Sequence, residues 1–167
     1  MLTQAVVFER PGEVAVRPVQ VPDPAPDDVL VRTEWSALSP GTEGRVLEDR
    51  FFPRSFTGRR FPTVPGYQRV GTIEAIGGPI PGLRIGQRVL ATRGRVGGDI
   101  AATWGGHLAI APTPAAEIMP LPDDIDGRLT AGLVLAQVGY NGAMRPARTG
   151  PGALVVVGRP PGRGLEP

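Results

Sequence analysis

The sequence predicts a mainly β fold: an antiparallel barrel, then one helix, then one strand of the kind buried on both faces. Three observations carry that expectation. Short β-branched runs recur between turn signals. Glycine (24) and proline (20) together make up about a quarter of the 167 residues, a load that breaks long helices and excludes an all-α bundle. The texture changes once, at Pro120-Leu121-Pro122-Asp123-Asp124, beyond which apolar residues take helical spacing.

Residues 4–8 (QAVVF), 14–21 (VAVRPVQV) and 29–35 (VLVRTEW) read as strands from their β-branched content and partial alternation. Pro11-Gly12 separates the first two, and the run from Pro22 to Asp28 separates the second from the third. Residues 36–66 hold four prolines without periodicity and predict an irregular functional loop. Residues 70–76 (VGTIEAI), 88–91 and 106–111 (GHLAIA) complete a set of six or more short strands, the spacing of a closed or partly closed barrel. Asp126 is placed to cap a helix carrying Leu129, Leu133, Ala136, Val138 and Met144, which Pro146 and Gly150-Pro151-Gly152 end. Residues 153–157 (ALVVV) form a continuous apolar run, as in a parallel sheet covered by helices. The expected division is 1–124 for the barrel and 125–167 for the helix and the strand that follows.

Composition removes several chemistries. With no cysteine there is no disulfide, thiolate nucleophile or cysteine-ligated metal site. His107 is the single histidine, which excludes multi-histidine metal sites. All 18 basic residues are arginine, so a Walker-type lysine and Schiff-base chemistry are absent. The net charge is +2, and the pI of 9.9 reflects the high pKa of arginine more than an excess of charge. A solvated surface of mixed sign is expected, not a nucleic-acid patch. The N-terminus has no basic, then apolar, signal pattern, and the longest mostly apolar stretch, 130–144, is too short to cross a bilayer. The expectation is a cytoplasmic chain without membrane or nucleic-acid partners.

Several segments in this order resemble the medium-chain dehydrogenase/reductase superfamily. They are AVVFERPGEVAVRPVQVPDPAPDDVLVRTEWSALSPGTE, with its glycine–threonine–acid segment Gly41-Thr42-Glu43, then FPTVPGYQRVGTIEAIG, GLRIGQRVLA, GGHLAIAPTPAAEIMPLPDDI and GPGALVVVG. The resemblance implies a GroES-like barrel, a linking helix and the first strand of a Rossmann nucleotide domain, acting on a small-molecule alcohol or carbonyl by hydride transfer with NAD or NADP. The departures imply a zinc-independent branch, and the Ser-Pro-Gly-Thr-Glu and Pro-Gly-Tyr-Gln wording resembles its bacteriochlorophyllide dehydrogenase-like members. Ser39 or Pro40 stands where zinc-dependent members carry a cysteine. The usual Gly-His-Glu turn is Gly66-Tyr67-Gln68, and the four-cysteine lobe is missing. A hydroxyl, a phenol and an amide do not supply zinc with its ligands.

Within that resemblance Tyr67 is the candidate proton donor to the alkoxide left by hydride delivery, against the alternative of a packed ring. Ser39 and Thr42 are candidates to orient a substrate oxygen, against local turn hydrogen bonding. Glu43 and Gln68 are placed in the substrate cleft, Glu43 with Arg69 as a candidate ion-pair partner and Gln68 as a turn residue. His107 reads as a structural or surface histidine away from these motifs, and Trp104 as packing over Gly105 and Gly106. Gly158 matches the first glycine of a dinucleotide turn, but Pro160 stands at the second, where backbone must approach phosphate. The sequence therefore reads as a C-terminally truncated chain expected to bind neither nucleotide nor zinc by itself, with self-association through residues 153–157 left open. The competing reading is a non-catalytic barrel used as a binding or scaffold module.

Overall fold

The computed structural model of the chain describes residues 1–51 and 60–144. The chain divides into two compact units, Met1–Leu133 and Val134–Pro167. The first is built on two sheets. One has the order β2-β1-β4-β7 and the other β8-β3-β5-β6-β9. Their strands are β1 (Leu2–Arg10), β2 (Glu13–Gln20), β3 (Asp28–Ser36), β4 (Thr63–Val64), β5 (Arg69–Ile76), β6 (Arg88–Ala91), β7 (Ala101–Ala102), β8 (Ile110–Pro114) and β9 (Ile118–Pro120). All described pairings are antiparallel except β4 with β7, and an isolated antiparallel bridge pairs Ala5 of β1 with Leu108, just ahead of β8. This strand-dominated architecture is the expected fold class.

Pleat and pattern explain the core. In β1 the inward set includes Ala5 and Val7, which meet Val19, Val64, Leu108 and Ala111 in one buried cluster. Val29 and Val31 of β3, Ile73 of β5 and Val89 of β6 form a second. Each valine, leucine or isoleucine among them contributes about 1.5–3 kcal/mol by leaving water. The turn into β3 is locked electrostatically. Asp28 is fully buried, accepts from Arg95 Nε at 3.0 and 2.8 Å, and takes the Ala25 N–H at 3.1 Å. That bond holds the Arg95 guanidinium above its ordinary pKa.

Three stretches differ from expectation. The segment read as irregular contains α1 (Pro40–Leu47) and β4. Pro40 suits the first helical turn, where its missing N–H costs nothing, and Glu43 lies in that turn beside the positive helix end. The strand expected over 106–111 starts instead at Ile110, because the chain at Gly105, with φ of 71°, is still turning. The single helix after Asp126 is two, α2 (Gly127–Thr130) and α3 (Leu133–Met144). Asp126 Oδ1 caps α2 by accepting from Arg128 N at 2.8 Å and Leu129 N at 3.4 Å, as expected. The readings on Pro146, residues 153–157 and Gly158 lie outside the described residues.

Candidate active site

Three segments far apart in sequence meet at one place: the entry to α1, the turn before β5, and the turn before β8. The turn before β5 is Pro65-Gly66-Tyr67-Gln68. Gly66 has φ of 91°, a region that side chains with a Cβ rarely adopt, and a Cβ built there would stand 2.8 Å from His107 Cδ2 and Nε2. The imidazole therefore lies flat against the glycine. Gly106 is as constrained: its N–H donates to Gly66 O at 2.7 Å, and a Cβ on it would meet the Gly66 carbonyl carbon at 2.5 Å. His107 N donates to Pro65 O at 3.1 Å, which completes the clasp.

Onto that clasp α1 brings a buried carboxylate. Glu43 Oε2 lies 2.7 Å from His107 Nε2, and Glu43 Oε1 accepts the Ser39 N–H at 2.8 Å. Their side chains are 1% and 8% exposed, so both partners of the contact are shielded from water. The other ring nitrogen, His107 Nδ1, is 3.0 Å from Ser36 Oγ at the end of β3. The sequence reading placed His107 away from the motif residues, and the structure corrects this. The contact spans 64 positions, and two glycines, Gly66 and Gly106, are what let the strands approach closely enough to make it. A lone histidine after a glycine pair was the only signal.

The expected ion pair between Glu43 and Arg69 is corrected too. Arg69 is fully buried and spends its guanidinium on Val31 O, Thr33 Oγ1, Arg93 O, Ala111 O and Thr113 Oγ1 at 2.5–3.4 Å. Desolvation with no carboxylate partner pushes it down to about 10, still protonated at neutral pH. Its role is to tie β3, β5 and β8 together from inside.

The remaining candidates fall as follows. Tyr67 is half-buried, and its ring meets Trp104 edge-on, with centroids 5.2 Å apart at 74°. Its hydroxyl has no hydrogen-bond partner among the described residues. Trp104 itself has φ of 68°, an uncommon conformation for a bulky side chain, and meets Phe51 edge-on at 5.6 Å. It packs between two aromatics and lines a cavity of about 550 Å³ with Arg93, Val96 and Ile100. Ser39 is buried and precedes α1, but its hydroxyl makes no capping bond. Thr42 is half-buried on α1. Gln68 is fully buried, exchanging bonds with Ala37: Gln68 Nε2 donates to Ala37 O at 3.4 Å, and Ala37 N donates to Gln68 O at 3.2 Å. No hydrogen bond joins Tyr67 to Ser39 or Thr42 among the described residues.

Residues 25–123, more than half of the chain, match the model of the alcohol dehydrogenase GroES-like domain. The chain belongs to that family. Among relatives of this GroES-like domain, 2-desacetyl-2-hydroxyethyl bacteriochlorophyllide A dehydrogenase of Cereibacter sphaeroides is 37% identical over 90 residues, covering 53% of this chain and 27% of the relative. L-threonine 3-dehydrogenase of Stenotrophomonas maltophilia is 30% identical over 132 residues, covering 68% and 38%. The fold is similar to human synaptic vesicle membrane protein VAT-1 homolog-like protein, with a TM-score of 0.66 at 23% identity, covering 83% of this chain and 43% of that one. It is also similar to Escherichia coli quinone oxidoreductase complexed with NADPH, with a TM-score of 0.64 at 15% identity over 85% and 40%. The chain thus spans well under two thirds of the length of these proteins.

The donor set bears on whether these residues fit a zinc ion. Ser39, Tyr67 and Gln68 offer a hydroxyl, a phenol and an amide. The nearby nitrogen and carboxylate, His107 and Glu43, are committed to each other. No group of three or more histidine, cysteine, aspartate or glutamate side chains is placed to hold a metal among the described residues. These residues do not fit zinc. Among the described residues no helix is long and apolar enough to cross a membrane.

Proposed function

We propose that this chain is the substrate domain of a zinc-independent oxidoreductase that moves hydride between a nicotinamide nucleotide and a small alcohol or carbonyl compound. The observation that carries this reading is the Gly66-Tyr67-Gln68 turn, set in a family domain and presenting a phenol without a hydrogen-bond partner among the described residues. The nucleotide, when bound, supplies the hydride. The residues of this chain manage the oxygen. As a carbonyl becomes an alkoxide, the Tyr67 O–H donates to it and then gives up its proton, and the reverse direction returns the proton to the phenolate. Trp104 supports the ring edge-on and fixes its direction. Ser39 and Thr42, at the entry and first turn of α1, orient the substrate oxygen. The buried Gln68 holds the turn to Ala37, so the phenol stays in place.

The reading divides the chain into a substrate domain over 1–124 and a linker toward a nucleotide domain over 125–167. It is tested in a relative that carries the same Pro65-Gly66-Tyr67-Gln68 segment together with a nucleotide domain. There Tyr67→Phe keeps the packing against Trp104 and removes only the hydroxyl. The expected result is a kcat lowered by about 100-fold with KM little changed. An unchanged kcat and pH profile would return Tyr67 to a packing role.

A further inference from the structure

The chain Ser36 Oγ, His107 Nδ1, His107 Nε2, Glu43 Oε2 has contacts of 3.0 and 2.7 Å and a steep gradient of exposure. Ser36 is exposed, His107 is nearly covered and Glu43 is buried. Glu43 Oε1 accepts the Ser39 N–H, and Glu43 Oε2 lies within hydrogen-bond distance of His107 Nε2. With the proton of this contact on Nε2, Nδ1 is the acceptor for the Ser36 O–H. The imidazole cannot swing away, because Gly66 backs its face. A hydroxyl facing solvent, a base held in one tautomer and a buried acid that orients it are the parts of an activated serine.

The same place holds a cavity of about 220 Å³, lined by Ser36, His107, Val6, Val16, Ala109 and Gln4. Val6, Val16 and Ala109 make an apolar wall suited to a short acyl chain. Gln4 brings a side-chain amide with no hydrogen-bond partner among the described residues, a donor for the oxygen of a tetrahedral intermediate. None of these residues is used in the hydride-transfer reading above.

We propose that Ser36, His107 and Glu43 form a second catalytic site, one that transfers acyl groups from small activated esters. Ser36 Oγ bonds to the ester carbonyl carbon while its proton passes to His107 Nδ1. The bond to the leaving oxygen then breaks, and that oxygen takes the proton from His107 as an alcohol. Water reverses the sequence: His107 takes its proton, the acyl group leaves as a carboxylic acid, and Ser36 recovers its hydrogen. Glu43 and Gln4 act without covalent change.

The composition makes the test clean. With no cysteine and no lysine, acylation of thiols and side-chain amines cannot compete, and the α-amino group of Met1 is bonded to Val21 O. The purified chain is mixed with p-nitrophenyl acetate, nitrophenol release is timed, and the acetylated residue is located by peptide mass mapping. The expected result is a burst of about one equivalent, with acetyl on Ser36 that hydroxylamine removes. Ser36→Ala, an exposed change at a strand end that leaves the fold intact by circular dichroism, abolishes the burst. His107→Ala slows it by about 100-fold or more, and Gln4→Ala by a comparable factor. Absence of a burst, acetyl on another residue, or an equal rate in Ser36→Ala would overturn the proposal.

Discussion

Gly66→Ala probes the clasp at its tightest point, and its cost can be worked from the structure. The backbone there has φ of 91°, and placing an L residue in the left-handed region costs about 1–2 kcal/mol. The added methyl would stand 2.8 Å from two atoms of the His107 ring. A flexible neighbour would yield cheaply, but this ring is pinned at both nitrogens, by Ser36 and Glu43. Overpacking of that kind adds about 1–3 kcal/mol. The expected loss is therefore about 2–5 kcal/mol, a shift of roughly 1–2.5 M in the urea midpoint at an m-value near 2 kcal/mol/M. Gly82→Ala separates the two parts, because Gly82 has φ of 81° and nothing within 4 Å of a Cβ built on it. That variant carries the conformational cost alone. Urea titration followed by tryptophan fluorescence should rank wild type above Gly82→Ala and Gly82→Ala above Gly66→Ala. Equal midpoints for the two variants would refute the clasp, since they would show that the His107 ring moves aside freely.

Other outcomes follow from the same structure. Arg69→Met keeps the aliphatic volume but strands buried carbonyls of Val31, Arg93 and Ala111, so it should destabilise by about 3–5 kcal/mol in the same titration; a loss under about 1 kcal/mol would deny Arg69 its tying role. Glu9, paired with Arg17, has its carboxyl held below the ordinary 4.5, so its contribution is full above that value and is lost as pH falls through the lowered one. The pair is partly exposed and worth at most about 1 kcal/mol; Arg17→Ala should cost that much at pH 7 and nothing well below pH 4, and a cost that persists in acid would contradict the pairing. Elemental analysis of the purified chain should find zinc only in traces, and about one tightly held zinc per chain would overturn the donor-set argument.

What the sequence made legible was local. The hairpin of β1 and β2, the strands around residues 29–35, 70–76 and 88–91, and the cap at Asp126 all follow from neighbouring residues, through β-branched runs, turn signals and one carboxylate before an apolar stretch. The short strands β4, β7 and β9 were missed because two or three residues carry no period, and they exist only through their partners. The site divides in the same way. Tyr67, Ser39 and Thr42 are proposed from their motif neighbours. Ser36 and His107 could not be joined to Glu43, because their contacts cross 71 and 64 positions and depend on where two sheets meet. Charge alone pairs Glu43 with Arg69, but the buried guanidinium bonds to carbonyls and hydroxyls of the frame instead.

Among the described residues, the three buried charged side chains show how one domain handles the same cost in different ways. Asp28 takes a surface arginine and closes a turn, Arg69 takes backbone oxygens and ties three strands, and Glu43 takes the single histidine and faces the candidate site. The partners of the first two all belong to the frame, although Arg69 Nε is buried without a hydrogen-bond partner. Glu43 differs because its partner has a second nitrogen, and that nitrogen leads out to an exposed hydroxyl. An unpartnered carboxylate at this depth would be expelled or neutralised, and a partner without a second nitrogen would end the chain inside the protein. Histidine alone satisfies the buried acid and still carries its polarity to the surface. That is why the loss of the Glu43–His107 contact should register at Ser36, whereas loss of the Arg69 network should register only in stability.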